Sequence, residues 1–168
     1  IIFNKKMISY LAPLYAICQG ITMGMFSYYF NTLYEGIAIT AISYTFCILF
    51  GLLSIYRLGL IKATENFKLG VGAATSGIFL LYVINFAMSF FGTGIPLMDI
   101  NNSSMVSIGF SVFVIIIAAM NLVVDFDFIE EGAEKGAPKY MEWYGAFGLM
   151  VTLIWLYLEI LKLLAKMN

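Results

Sequence analysis

Carboxylates are the side chains of this sequence best suited to chemistry, and they are unevenly placed. Six of the ten acidic residues lie between residues 125 and 147, and the first two, Asp125 and Asp127, directly follow a long apolar run. Another acid, Glu159, interrupts a second apolar run. Carboxylates at the edge of apolar segments can take up protons or contact hard cations such as Ca²⁺. The pattern therefore indicates proton or cation chemistry.

Asp125 and Asp127 are predicted to face different surroundings. Asn121 precedes Asp125 by four residues, so these two share a helix face. Asp127 lies about 200° around the helix from Asp125, so one acid can face neighbouring helices while the other faces water. Asp125 is either a functional acid just inside the hydrocarbon or an ordinary interfacial carboxylate at a helix end. The acids on the face of Asp127 have the pattern of a solvated surface: Glu130, Glu131 and Glu134.

Two other polar side chains lie inside apolar runs. Glu159 follows Trp143 by sixteen residues, which corresponds to roughly 24 Å along a helix axis. It either pairs with Lys162, three residues later, or faces an ion path. Gln19 is the only strongly polar side chain deep in the first run. It predicts either an interhelical hydrogen bond or a residue that lines a hydrated path.

Composition defines the kind of element that must position these residues. Hydrophobic residues make up 62% of the chain and charged residues 11%, against about 45–50% and about 25% in soluble domains. A soluble fold of this size cannot bury so large an apolar fraction, so we predict an integral membrane protein. The net charge is −1. The Lys and Arg residues are not clustered with aromatic residues, so nucleic acid is excluded as a partner.

Five apolar windows are long enough to cross a bilayer as helices, because about 20 apolar residues suffice. The windows do not alternate apolar with polar residues, as barrel strands would. They cover residues 8–30, 36–56, 70–91, 104–124 and 143–165. The predicted fold class is all-α, a polytopic helical membrane protein in which residues 1–168 form a single transmembrane domain.

Basic residues are distributed asymmetrically between the two sides of these predicted spans. The two loops on the side opposite the first residues contain no Lys or Arg. The positive-inside rule then places the first side, and with it the acidic connection 125–142, in the cytoplasm. Seven basic residues lie on that side: Lys5, Lys6, Arg57, Lys62, Lys68, Lys135 and Lys139.

Small residues on three of the predicted helices favour close helix packing. A path lined by glycines is the alternative interpretation of the same residues. They are Gly20 and Gly24 in the first helix, Gly72, Ala73, Ser76 and Gly77 in the third, and Gly145 and Gly148 in the last.

The remaining residue types indicate no enzyme chemistry. The chain has no histidine, no paired nucleophile and base, and no metal-ligand spacing. Cys18 and Cys47 both lie inside apolar runs and are expected to act as small hydrophobic residues. We therefore expect neither catalysis nor a cofactor.

Two C-terminal motifs resemble a known family. NLVVDFDFIEEG (121–132) and GAPKYMEWYGAFGLMVTLIWLYLEILKLL (136–164) resemble the C-terminal half of the Bax inhibitor-1 family, also called the YccA-like or transmembrane Bax inhibitor motif family. The likeness is closest to a bacterial branch of the family. YAICQG (15–20), followed by Gly24, resembles the third helix of that branch. The resemblance covers essentially the whole chain. It implies a seven-helix bundle in the bacterial plasma membrane, with the last helix central and the first two helices absent here.

The resemblance also implies a pH-sensitive calcium leak. In the family, one aspartate that ends helix six and one within helix seven sense protons near the pore. Asp125 matches the first of these. An alignment without gaps places the second near Leu149 or Met150, which cannot ionise, whereas the pattern Leu-Tyr-Leu-acid at residues 156–159 places it at Glu159.

Two functions follow as expectations. The first is a pH-modulated passive cation leak that carries Ca²⁺, responds to protons and lies in the lipid bilayer. The second is a non-transporting membrane protein that modulates a membrane protease or a stress response through contacts of residues 125–142. The residues predicted to sense protons or to line the ion pathway are Asp125, Glu159, Asp127, Gln19 and Asn121.

Overall fold

Five long helices make up the structure, which is a computed structural model that describes residues 7–168. A single turn of 3₁₀ helix, Pro96–Met98, lies in the loop between the third and fourth helices. The predicted all-α fold is confirmed. The helices are α1 (Ile8–Leu33), α2 (Ile37–Arg57), α3 (Glu65–Ser89), α4 (Met105–Glu134) and α5 (Tyr140–Met167).

Chain direction alternates from helix to helix, so the bundle has two ends. One end contains the connections at residues 58–64 and 135–139, and we call it the Asp125 end. The other contains the turn at 34–36, the loop at 90–104 and the C-terminus, and we call it the Lys166 end. The two basic residues Lys5 and Lys6, which contributed to the predicted orientation, lie outside the described residues.

α4 is longer than the predicted span because it continues through the acidic segment. The prediction that residues 125–142 form a connection was wrong: only residues 135–139 lie between α4 and α5. Glu and Ala are good helix formers, so the helix persists beyond the apolar run. It ends at Glu134, two residues before Gly136, whose positive φ of 61° is a conformation that glycine adopts without strain.

α3 also begins earlier than predicted. The Thr64 hydroxyl accepts a hydrogen bond from the Phe67 backbone N–H at 3.2 Å, which caps the helix, and Glu65 occupies its first turn. Hydropathy alone had placed this start at residue 70, because the capped first turn is polar.

α5 is the central helix of the bundle. It packs against α1, α2 and α4, and Leu156 and Leu161 are fully buried within the main core. Leu122 and Ala118 of α4 and Ala41 of α2 complete the centre of that core. The central position of the last helix agrees with what the family resemblance implied.

α3 is peripheral and packs mainly against α4. Ile78 of α3 meets Val114 and Ile117 of α4 in a second, smaller apolar cluster, and Trp155 of α5 packs against this cluster. Because little apolar surface holds α3, its polar contacts carry more of its attachment.

Only one of the predicted small-residue faces forms a close helix contact. A Cβ on Gly145 would lie 2.8 Å from the Cγ1 atom of Ile129, so glycine allows α5 to approach α4 closely there. The predicted packing faces on α1 and α3 meet no other helix within the described residues. Apart from the adjacent residues and backbone of the same helix, no described atom lies within 4 Å of a Cβ built on Gly20, Gly24, Gly72 or Gly77.

Four helices, α2 to α5, are long and apolar enough to cross a membrane. α1, predicted as a fifth span, has the required length but is not among them; it contains Gln19 and several Tyr, Ser and Thr residues. Many large apolar side chains are exposed, among them Phe86, Phe90 and Phe91. Such a surface requires lipid, so the chain is an integral membrane protein.

Candidate functional site

Asp125 lies where α4 packs against α5, about 30 Å along α4 from Met105, or one hydrocarbon thickness. Its Oδ2 atom is completely buried and has no hydrogen-bond partner among the described residues. Its Oδ1 atom faces α5, 3.5 Å from where a Cβ on Gly148 would lie. We call the contact at Asp125, Ile129, Gly145 and Gly148 the α4–α5 seam.

Thr152 is the polar neighbour of Asp125 on α5. Its hydroxyl lies beside the Asp125 carboxylate, but it donates to the backbone carbonyl of Gly148 at 3.1 Å. A hydroxyl has only one proton to donate. Asp125 therefore has a polar neighbour in the seam while one of its oxygens remains unsatisfied.

Asp127 points away from the seam, as the helix period predicted, but it does not lie on an open solvated surface. Its Oδ2 atom forms an ion pair with Lys68 of α3 at 2.6 Å, and its side chain is 23% exposed. The Tyr56 hydroxyl of α2 lies 3.4 Å from its Oδ1 atom. Asp127 thus joins α2, α3 and α4 at the Asp125 end.

The neighbouring glutamates extend this network, which we call the Lys68 network. The Tyr56 hydroxyl donates its proton to Glu130, Glu131 lies 3.8 Å from Lys68, and Lys135 pairs with Glu131. The Glu131 carboxylate also raises the pKa of Lys135 above its ordinary value through that hydrogen bond. Glu130 and Glu134 are exposed and the Glu131 side chain is 46% exposed, so the predicted solvated face holds for these three glutamates.

Asn121 is turned toward α3 although it lies one turn from Asp125. Its side-chain amide donates to the Thr75 hydroxyl at 2.7 Å and to the Ile117 carbonyl at 2.9 Å. Asp125 faces α5 instead. The two residues therefore share no partner, and Asn121 acts as a polar contact between α3 and α4.

Glu159 is buried between α3 and α5, with 3% of its surface exposed. Tyr82 of α3 donates a hydrogen bond to its Oε1 atom, and Lys162 pairs with the same atom at 3.1 Å. The predicted pair with Lys162 is present. The Lys162 ammonium also lies 4.8 Å from the centre of the Tyr82 ring.

The structure does not bring the two candidate acids together. Asp125 faces Gly148 and Thr152, whereas Glu159 lies seven residues beyond Thr152, roughly 10 Å farther along α5. Its partners, Tyr82 and Lys162, belong to the Lys166 half of the bundle. A directly paired carboxylate dyad is therefore absent at Asp125 among the described residues.

Gln19 of α1 is half-buried, and its side chain makes no hydrogen bond to any of residues 7–168. The polar contact between α1 and α5 is made elsewhere, by the hydroxyls of Ser27 and Tyr157 at 2.6 Å. The interhelical hydrogen bond predicted as one role of Gln19 is therefore not formed in this part of the chain.

Lys166 is a functional candidate that the sequence interpretation missed. It is only 3% exposed, and its ammonium contacts three oxygens near the Lys166 end. Its sequence position held a signal, because Lys166 lies seven residues, or two helical turns, after Glu159 on the same face of α5. Hydropathy had placed it at the end of the span, where a lysine ordinarily reaches water.

A groove of about 780 Å³ opens between the end of α4 and the beginning of α5. Its walls are mostly apolar, and Glu131, Lys135 and Glu142 are its charged residues. We call it the junction groove. No three His, Cys, Asp or Glu side chains within residues 7–168 lie close enough together to hold a metal ion.

These features define a helical integral membrane protein with one unsatisfied carboxylate in its central helix contact and polar clusters at both ends. A family model described as Bax inhibitor 1 like matches residues 1–168, so the chain belongs to the Bax inhibitor 1 family. Searches among curated proteins and among solved structures gave no match to the chain.

Proposed function

We propose that this protein is a pH-modulated passive leak for cations, with Ca²⁺ as the permeating ion. The observation that carries this proposal is the unsatisfied Oδ2 atom of Asp125 in the α4–α5 seam. A buried polar oxygen without a donor costs free energy, and an uncompensated buried charge costs more. The membrane-spanning fold and the family membership are consistent with this function.

The carboxylate of Asp125 has two ways to lower this cost. It can bind a proton, which leaves a neutral group in a packed seam, or it can draw water or a cation between α4 and α5. The glycine at position 148 leaves space beside the carboxylate. Proton occupancy of Asp125 would thus select between two arrangements of the seam, and a hard cation would use oxygen ligands there.

We propose that Asp125 senses protons without a second carboxylate and that Glu159 has a different, structural role. Glu159 already has a cation and a phenol as partners. We propose that it holds α3 against α5 rather than sensing protons with Asp125. In the proposed orientation, the Asp125 end faces the cytoplasm of a bacterial cell, so cytoplasmic pH controls the leak.

The test is Ca²⁺ flux into liposomes that contain the full-length protein, measured from pH 5 to pH 8. Asn is the uncharged isostere of Asp, so Asp125→Asn should abolish the pH dependence and show the wild-type flux of the acidic limit at every pH. Asp127→Asn is the matched control and should keep the pH dependence. Equal flux with and without protein would reject the leak, and an unchanged pH profile in Asp125→Asn would reject the role of Asp125.

The junction groove favours one alternative function, a non-transporting role in which the protein modulates a membrane protease or another membrane protein by contact. The groove adjoins the acids at the end of α4, and it is open and mostly apolar. In that case, replacing Glu130, Glu131 and Glu134 with Gln should abolish capture of the partner and leave Ca²⁺ flux unchanged.

A further inference from the structure

The ammonium of Lys166 is held by neutral oxygens inside the bundle. Its Nζ atom donates to the Leu97 carbonyl at 2.9 Å, to the Ser111 hydroxyl at 2.9 Å and to the Ser107 carbonyl at 3.4 Å. The buried carboxylate of the same helix, Glu159, is bonded to Lys162 and Tyr82 instead. Three neutral oxygens surround Lys166 as they would surround a dehydrated cation.

These oxygens belong to different elements of the Lys166 end. Leu97 lies in the 3₁₀ turn of the 90–104 loop, whereas Ser107 and Ser111 lie in the first two turns of α4. The Ser107 hydroxyl also donates to the Leu97 carbonyl at 3.0 Å. Lys166 therefore ties the loop and the beginning of α4 to the end of α5 through one buried charge.

Apart from Lys166 and Ser107, the loop is attached to the bundle by one apolar residue, Ile100, which packs against the main core, and by a hydrogen bond to α3. The Asn85 side chain accepts a hydrogen bond from the Ile95 backbone N–H at 2.7 Å, which fixes the loop to the end of α3. Other hydrogen bonds of the loop are internal, including those between Asn102 and Pro96 and between Met98 and Ile95. Because α3 itself is peripheral, Lys166 supplies the polar contact that joins the loop to the central helix, beside the apolar contact of Ile100.

We propose that Lys166 is a built-in cation that clasps the 90–104 loop and thereby closes the Lys166 end of the bundle. Its ammonium occupies oxygens that a cation entering at this end would use, so the end is closed while Lys166 is in place. The attachment of the loop by Lys166 depends neither on Asp125 nor on any flux, whereas the closure of this end against cations rests on the proposed leak.

Backbone amide hydrogen exchange tests the clasp without measuring transport. In Lys166→Met, which keeps the chain length and removes the charge, the amides of Met98, Asp99 and Asn102 should exchange roughly tenfold faster or more. That factor corresponds to loss of a hydrogen bond to a charged group. Lys162→Met is the matched control on the same helix. It should leave these amides unchanged, because Lys162 contacts Glu159 and Tyr82 rather than the loop.

A second variant keeps Lys166 and alters only its cage, the three oxygens of Leu97, Ser107 and Ser111 that accept its hydrogen bonds. Ser111→Ala removes one acceptor, so it should speed exchange of the same amides by a smaller factor than Lys166→Met, and it provides the test if Lys166→Met does not fold. The clasp would be overturned if the loop amides of folded Lys166→Met and Ser111→Ala exchanged at the wild-type rate. It would also be overturned if these amides exchanged as fast in Lys162→Met as in Lys166→Met.

Discussion

The Oδ1 atom of Asp125 lies 3.5 Å from the position that a Cβ atom on Gly148 would occupy. This distance is an ordinary van der Waals contact, so a methyl group fits there without displacing the carboxylate. The relationship places the acid of α4 directly over a glycine of the central helix. Position 148 therefore controls how much space water or a cation has beside Asp125.

Gly148→Ala should preserve or raise stability and lower Ca²⁺ flux. Replacing a helix-interior glycine with alanine stabilises by about 0.5–1 kcal/mol, and the added methyl group fills space beside the carboxylate. Thermal unfolding in detergent and liposome flux together check this prediction. An unchanged or higher flux in a protein of normal stability would show that ions do not pass beside Asp125.

Gly145→Ala, one turn earlier on α5, should have the opposite effect on stability. Its Cβ would lie 2.8 Å from Ile129 Cγ1, which is not the flexible tip of that side chain. Overpacking of this kind costs about 1–3 kcal/mol, which exceeds the gain in helix propensity. The melting temperature should fall by roughly 2–6 °C.

The double variant Gly145→Ala with Ile129→Ala identifies the cause of that loss. Removing the Ile129 side chain removes the clash, so the double variant should be more stable than the sum of the two single changes predicts. Strict additivity of the two changes in stability would mean that position 145 and the Ile129 side chain are not in contact.

The helices could be predicted because they follow from apolar runs and local signals. All five predicted windows overlap a helix, and the two large boundary errors have local causes. At Thr64 a polar capped turn precedes the apolar run, and after Asp125 good helix formers continue the helix to Glu134, two residues before Gly136. If helix caps and glycines were weighted above hydropathy, the beginning of α3 and the end of α4 would both be predicted correctly.

The partners of the polar residues could not be predicted in the same way. The helix period gave the opposite directions of Asp125 and Asp127, but it does not specify which neighbouring helix lies on each side. Asn121 was predicted to share a helix face with Asp125, yet its side chain contacts Thr75 because α3 covers that side of α4. The cage of Lys166 requires a loop turn about 70 residues away in sequence, which no local pattern reveals.

Tyr82→Phe tests whether Glu159 is an attachment for α3. The change removes one hydrogen bond to a buried carboxylate, which is worth about 1–3 kcal/mol, so the melting temperature should fall. The pH dependence of Ca²⁺ flux should remain, because Asp125 is unchanged. Glu159→Gln keeps an acceptor for Tyr82 and removes the charge beside Lys162, so it should also lower stability and keep the pH profile. Loss of the pH dependence in either variant would assign proton sensing to Glu159.

Lys68→Met tests the ionic attachment of α3 at the opposite end. Lys68 is the cation shared by Asp127 and Glu131, so its loss leaves carboxylates of the Lys68 network facing one another. The variant should unfold at a lower temperature than the wild type, and the difference should shrink as salt is added, because salt screens these charges. Lys62→Met is the matched control, since Lys62 is exposed in the adjacent connection and forms no ion pair within residues 7–168. Equal melting temperatures for the two variants at low salt would show that α3 is held by apolar packing and by Asn121 and Tyr82, without help from Lys68.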